Sequence, residues 1–131
     1  MDGIAVVGAV IFHRGKIMAA KRKQGKTLGG LWEFPGGKID GEESPTEALA
    51  REIREELGAE IEVVREIVTT THHYDFATID LTTFQCELIG EQYENKEHEE
   101  MRWLSVNELE TVEWAPADTP TIEWIRRNLI G

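Results

Sequence analysis

The segment from Ser44 to Gly58 constrains this chain most, because it carries its own start and stop. Ser44, Pro45 and Glu47 form a capping box with proline at the first helical position. Gly58 supplies the residue that ends a helix in a left-handed turn. Between them Leu49, Ile53 and Leu57 recur every four residues, so one face of this helix must pack on a core. Upstream, Ile4–Phe12 is apolar and rich in Val and Ile, which predicts a strand buried on both faces. Arg14-Gly15 predicts a turn and Lys16–Lys21 a returning strand. Gly25–Gly30 reads as a polar loop, and Leu31–Phe34 as a short apolar segment halted by Pro35-Gly36-Gly37.

Downstream, Ile61–Val68 and Ile79–Leu88 predict strands, with His72–Phe76 between or extending them. Gly90–His98 is polar and acidic, a loop, and Met101–Leu104 is a short strand. A second capping box, Ser105-x-x-Glu108, opens a short helix. Thr119-Pro120 starts a last helix through Ile122, Ile125 and Leu129. Strands, helix, strands, helix predict an α+β domain whose mixed sheet carries helices on its faces.

The other side of the Ser44–Gly58 helix is chemically more specific. With Glu52 as zero, Glu55 lies at about −60° and Glu56 at about +40° on the helical wheel. Three carboxylates thus share one face beside the apolar stripe. Like charges at these spacings repel by a few tenths of a kcal/mol per pair, and a hard divalent cation reverses the sign. The plain alternative is a solvated face neutralised by Arg51 and Arg54.

The net charge of −11 repels a phosphate backbone, so a nucleic-acid polymer is not an expected partner. Acids gathered at one site bind cations, however, and cations recruit small phosphorylated ligands. The lone Cys86 forms no intrachain disulfide and is read as a core residue. No apolar run is long enough to span a membrane, and the N-terminus has no signal-peptide pattern. A cytoplasmic domain spanning 1–131, monomeric or a weak homodimer, is the expectation.

Gly37, Glu43, Arg51, Glu52, Ile53, Glu55, Glu56 and Gly58 resemble the Nudix box, Gly-x5-Glu-x7-Arg-Glu-U-x-Glu-Glu-x-Gly-U, where U is bulky and aliphatic. The box spans Gly37 to Ala59, and Ala59 departs from it by being small. The lead-in Leu31-Trp32-Glu33-Phe34-Pro35-Gly36-Gly37-Lys38 and the later Trp114-Ala115-Pro116-Ala117-Asp118 look like the MutT branch.

The resemblance implies a Nudix α/β/α sandwich and a Mg²⁺-dependent pyrophosphohydrolase of nucleoside triphosphates, with Mn²⁺ as the alternative ion. It implies Glu52, Glu55 and Glu56 as metal ligands with the Gly37 carbonyl, and Glu43 paired with Arg51 behind them. From the acidic loop it offers Glu97 as further ligand or general base, a role shared with Glu52. Arg22 matches a phosphate-contacting arginine, and Lys38 and Tyr74 join it on the substrate side.

Asp118 aligns with a base-reading position. An ionised Asp only accepts hydrogen bonds, which suits the N1–H and N2–H₂ of 8-oxoguanine and also the N4–H₂ of cytosine. The implied substrate is therefore 8-oxo-dGTP, with CTP, dCTP or a modified cytosine nucleotide as the alternative. Asp118 or Thr119 capping the last helix is the plain reading. Tyr74 and Phe76 are further candidates to stack on a base.

The absence of a proline between Pro45 and Pro116 argues against the ADP-ribose class, which usually carries one downstream of the box. A non-catalytic nucleotide sensor is the remaining alternative. Such domains commonly lose box glutamates, and all are present here.

Overall fold

Strand β1, Ile4–His13, lies in the middle of a seven-stranded mixed sheet in a computed structural model that describes residues 3–129. It turns at Arg14-Gly15 into β2, Lys16–Lys21. Then follow β3, Trp32–Glu33; β4, Gly36–Lys38; helix α1, Pro45–Leu57; β5, Glu60–His73; β6, Thr78–Ile89; and β7, Glu100–Leu104. Short 3-10 helices cover Val106–Thr111 and Pro116–Asp118, and α2 covers Thr119–Asn128.

The strand order is β3-β2-β1-β6-β5, with β4 against β1 and β7 against β2. β1 and β6 run parallel, from Ile4 opposite Ile79 to Phe12 opposite Glu87. The remaining pairings between strands are antiparallel.

β1 is buried on both faces because each face meets a different layer. Val7, Ala9 and Ile11 pack with Leu49, Ile53 and Leu57 of α1. Val10 points the other way, into a cluster with Ile17, Phe34, Leu109, Ile122 and Ile125. Each fully buried α1 side chain contributes about 1.5–3 kcal/mol. Ala59 also lies in the α1 cluster, 2% exposed, so the small residue at the end of the box fits a tight position.

Helix α1 begins as its sequence predicts. The Ser44 side chain accepts from the Glu47 amide, and the Glu47 side chain accepts from the Ser44 amide. Gly58 ends it at φ 58°.

Two local readings are refined. β5 runs on to His73 instead of stopping at Val68, because Thr69–His73 continues the ladder to β6 through Thr78. Two register shifts, at Val63/Arg65 and Glu66/Val68, let that long edge strand bend. The short helix opened by the second box is a 3-10 helix, and the Ser105 amide donates to Glu108. No helix is long and apolar enough to cross a membrane among the described residues.

Candidate active site

Pro35-Gly36-Gly37 sets the geometry of a cleft of about 520 Å³ whose lining includes Glu52 and Glu56 of α1, Glu33 of β3, Tyr74 and Asp118. β4 presses so closely on β1 that a β-carbon on Gly36 would meet the Val7 carbonyl oxygen at 1.9 Å. On Gly37 a β-carbon would meet the Glu52 carboxylate carbon at 2.4 Å. Glycine at both positions lets backbone and carboxylate share one wall.

Glu56 is buried, 6% exposed, and its carboxylate accepts from the Gly36 amide at 3.2 Å. Its pKa is pushed up to about 8, first by burial and then by the neighbouring charges of Glu33, Glu52 and Glu97. Burial also raises Glu52, while the Arg51 hydrogen bond opposes the shift.

Arg51 ties the helix to the loop before it. Its Nε donates to Glu43 at 2.7 Å and its Nη2 to Glu43 at 3.0 Å and to the Lys38 carbonyl at 3.0 Å. Its Nη1 donates to Glu52 at 2.9 Å and to Glu55 at 3.1 Å. These bonds lower the Glu43 pKa, with the Arg51 hydrogen bond as the largest cause, and hold Arg51 firmly protonated.

Glu52, Glu55 and Glu56 are not equivalent. Glu52 and Glu56 line the cleft, while Glu55 does not and is largely exposed, paired with Arg51. Lys38 and Glu97 also line it, and Glu97 lies in the loop after β6. Glu99 pairs instead with Lys21 at 3.1 Å, and Glu100 belongs to β7.

The opposite end of the cleft is assembled from distant segments. The Trp32 amide donates to the Glu113 carbonyl and the Ala115 amide to the Trp32 carbonyl, both at 2.8 Å. This lays 113–118 beside β3 and brings Asp118 to the cleft beside Glu33. Asp118 stands at the start of α2 but makes no side-chain capping bond, so the capping expectation is not met.

Its pKa is raised well above the usual value, first by burial and then by Glu33, against the Phe34 amide and Arg22. Arg22 donates to both oxygens of Glu33, at 3.1 and 3.3 Å, and to the Thr27 carbonyl at 2.6 Å. The Tyr74 hydroxyl accepts from the Ala117 amide at 2.9 Å, and the Tyr74 ring stacks on Phe76 at 5.0 Å and 11°.

Two residues of the cleft are not identified by sequence reasoning. Glu33 sits at the junction of both ends, and His98 donates from Nε2 to its carboxylate at 2.9 Å. Glu33 sits inside a lead-in that carries no carboxylate pattern, and His98 inside a polar loop. The only available signal was the apolar flanks Trp32 and Phe34, which place Glu33 on a strand.

The donors on the α1 wall are oxygens of carboxylates and backbone. The nearby carboxylates raise the Glu56 pKa, and hard oxygen donors crowded in this way fit a hard divalent cation. Among the described residues no three such side chains close around a single point.

Residues 6–124 match the family model described as NUDIX domain. The chain is 37% identical to the CTP pyrophosphohydrolase of Escherichia coli K12, over 94% of this chain and 91% of that one. It is 36% identical to the putative 8-oxo-dGTP diphosphatase 2 of Mycobacterium tuberculosis, over 100% of this chain and 93% of that one. The solution structure of the E. coli ORF135 protein superposes with a TM-score of 0.87 at 35% identity, covering 99% of this chain and 93% of that one. The solution structure of a MutT Nudix hydrolase from methicillin-resistant Staphylococcus aureus 252 superposes with a TM-score of 0.78 at 45% identity, covering 95% of each chain.

Proposed function

Because the chain belongs to the Nudix family of hydrolases acting on nucleotide diphosphate bonds, we propose that it is a Mg²⁺-dependent nucleoside triphosphate pyrophosphohydrolase. The products are a nucleoside monophosphate and pyrophosphate. The observation that carries this reading is the meeting of Glu52, Glu56 and the Gly36-Gly37 backbone on one wall of a cleft whose far end holds buried Asp118.

Nudix hydrolases generally need a divalent metal. Here Glu52, Glu55, Glu56, Glu97 and the Gly37 carbonyl would hold Mg²⁺, with Mn²⁺ as the alternative. When bound, the ion neutralises phosphate charge and makes a coordinated water more acidic. Glu97 or Glu52 takes the proton from the attacking water. Glu43 acts through Arg51, keeping Glu52 and the Lys38 backbone in register. Arg22 and Lys38 supply positive charge toward the phosphates, and Tyr74 lines the nucleoside end.

Asp118 reads the base in this proposal. Burial favours its neutral carboxyl, which offers one donor and one acceptor. That pair complements the O6 and N1–H edge of an 8-oxoguanine, and 8-oxo-dGTP is the first substrate proposed. It complements N3 and N4–H₂ of cytosine equally well. The 37% identity to a CTP pyrophosphohydrolase therefore supports CTP or dCTP as the second reading.

Pyrophosphate release with Mg²⁺ from dGTP, 8-oxo-dGTP, dCTP, CTP and ADP-ribose tests both. The highest kcat/KM on 8-oxo-dGTP supports the first reading, and on a cytosine nucleotide the second. Turnover of ADP-ribose alone would overturn the triphosphate assignment. Glu56→Gln should lower turnover by orders of magnitude with the fold intact, and a fully active variant would sink the metal-site assignment.

A further inference from the structure

The loop between β6 and β7 hangs over the α1 wall and carries Glu97. Its residues 91–97 are all exposed, and His98 is the buried one among them. Backbone contacts dock the loop at its edges. The Glu94 amide donates to the Leu57 carbonyl at 2.7 Å, the Lys96 amide to the Glu56 carbonyl at 3.2 Å, and the Glu99 amide to the Lys21 carbonyl at 2.9 Å.

Between these points the His98 ring reaches inward. Its Nε2–H is 2.9 Å from Glu33, and the same atom stands 3.9 Å from Glu56. Its Nδ1 is buried with no hydrogen-bond partner, so the polar attachment of the ring runs through Nε2 alone. The backbone of His98 is clamped by Asn95, which donates to its carbonyl at 2.8 Å and accepts from its amide at 2.9 Å. Glu33, in turn, is held by Arg22.

We propose that His98 is a positioning residue: its bond to Glu33, with the Asn95 clamp behind it, fixes where the neighbouring Glu97 stands over the α1 wall. The proposal rests on the reading of Glu97 as an acting carboxylate. Without such a tie an exposed loop glutamate would sample many positions. A displacement of about 1 Å in a reacting group costs on the order of 100-fold in rate.

The test is a double-mutant cycle between position 98 and Glu97, read as kcat with saturating Mg²⁺ and nucleotide. Met and Gln have similar length, and only Gln can donate to Glu33. His98→Met should lower kcat about 10–100-fold with Glu97 present. In a Glu97→Gln background it should change kcat less than about twofold, since the group it positions has lost its function. His98→Gln should recover most of the loss.

Should His98→Met fail to fold, Asn95→Ala cuts the clamp and should show the same coupling to Glu97. Additive effects, a wild-type rate for His98→Met, or equal rates for His98→Gln and His98→Met would each overturn the proposal. A wild-type rate for Glu97→Gln would overturn it together with the Glu97 assignment. The hydrolase reading is judged separately, by Glu56→Gln.

Discussion

Gly37 faces Glu52 so closely that a β-carbon on Gly37 would lie 2.4 Å from the Glu52 carboxylate carbon. A side chain yields where a backbone does not, so Gly37→Ala is expected to fold and to push Glu52 off the α1 wall. Its melting temperature should stay close to wild type while kcat falls about 100-fold. Gly36→Ala is the contrasting case, because its β-carbon would meet the Val7 carbonyl oxygen at 1.9 Å, backbone against strand. That variant should lose stability measurably in a denaturant titration, whatever its activity.

Glu56 makes metal-free stability depend on pH. Its pKa of about 8 lies above the ordinary value of 4.5, so the folded state holds a proton that the unfolded chain releases. The stabilisation is complete below pH 4.5 and is lost as pH rises through about 8. The slope in that window is about 1.4 kcal/mol per pH unit, a few kcal/mol in all. In chelator, wild type should therefore lose melting temperature between about pH 5 and about pH 9 more steeply than Glu56→Gln. Adding Mg²⁺ at the alkaline end should restore wild type and leave the variant unchanged.

Arg51→Lys should fail as a conservative change. The guanidinium serves Glu43, Glu52, Glu55 and the Lys38 carbonyl at once, and an ammonium cannot span those directions. Activity or Mg²⁺ affinity should drop about 10–100-fold with little change in melting temperature. Titrating Mg²⁺ against initial rate separates the two effects.

Asp118→Asn should keep much of the wild-type kcat/KM on the preferred nucleotide, since Asn also offers a donor and an acceptor. Asp118→Ala should lose about 100-fold or more, by leaving the base edge unpaired. Because burial holds the carboxyl neutral to higher pH than usual, its ionisation as pH rises should shift wild type toward 8-oxo-dGTP over dCTP, since a carboxylate accepts from N1–H and N2–H₂ of 8-oxoguanine but faces the N3 acceptor of cytosine. Asp118→Asn should show no such shift. Measuring kcat/KM for 8-oxo-dGTP and dCTP across pH checks both statements.

The parts of the fold that were legible in the sequence are those written locally. Helix α1 starts and stops where Ser44, Glu47 and Gly58 say, because capping is settled within a few residues. The wheel also carries more than a shared face. Glu56, at about 40°, borders the stripe centred on Ile53 at about 100°, and Glu55 is turned away from it. That is why Glu56 is buried and Glu55 is exposed on Arg51.

The bond between Glu33 and His98 is not written this way. The two residues are far apart in sequence, and neither has a neighbour pattern that announces the other. The extension of β5 to His73 stays open in the sequence for a related reason: Thr69–His73 has no clean apolar alternation, and its strand character comes from pairing with β6.

The parallel register of β1 with β6 has a kinetic consequence. On its parallel side, residues 4–12 pair with residues 79–87, so the centre of the sheet closes over a long loop. Chains dominated by such non-local contacts fold slowly, because the loop entropy is lost before the contacts form. An emerging polypeptide therefore completes its glutamate helix well before the strand that β1 must join. Until that closure the α1 stripe lacks Phe84, Cys86 and Leu88, the β6 side chains of its core cluster, so the face that carries Glu52 and Glu56 gains its fixed position only at a late stage of folding.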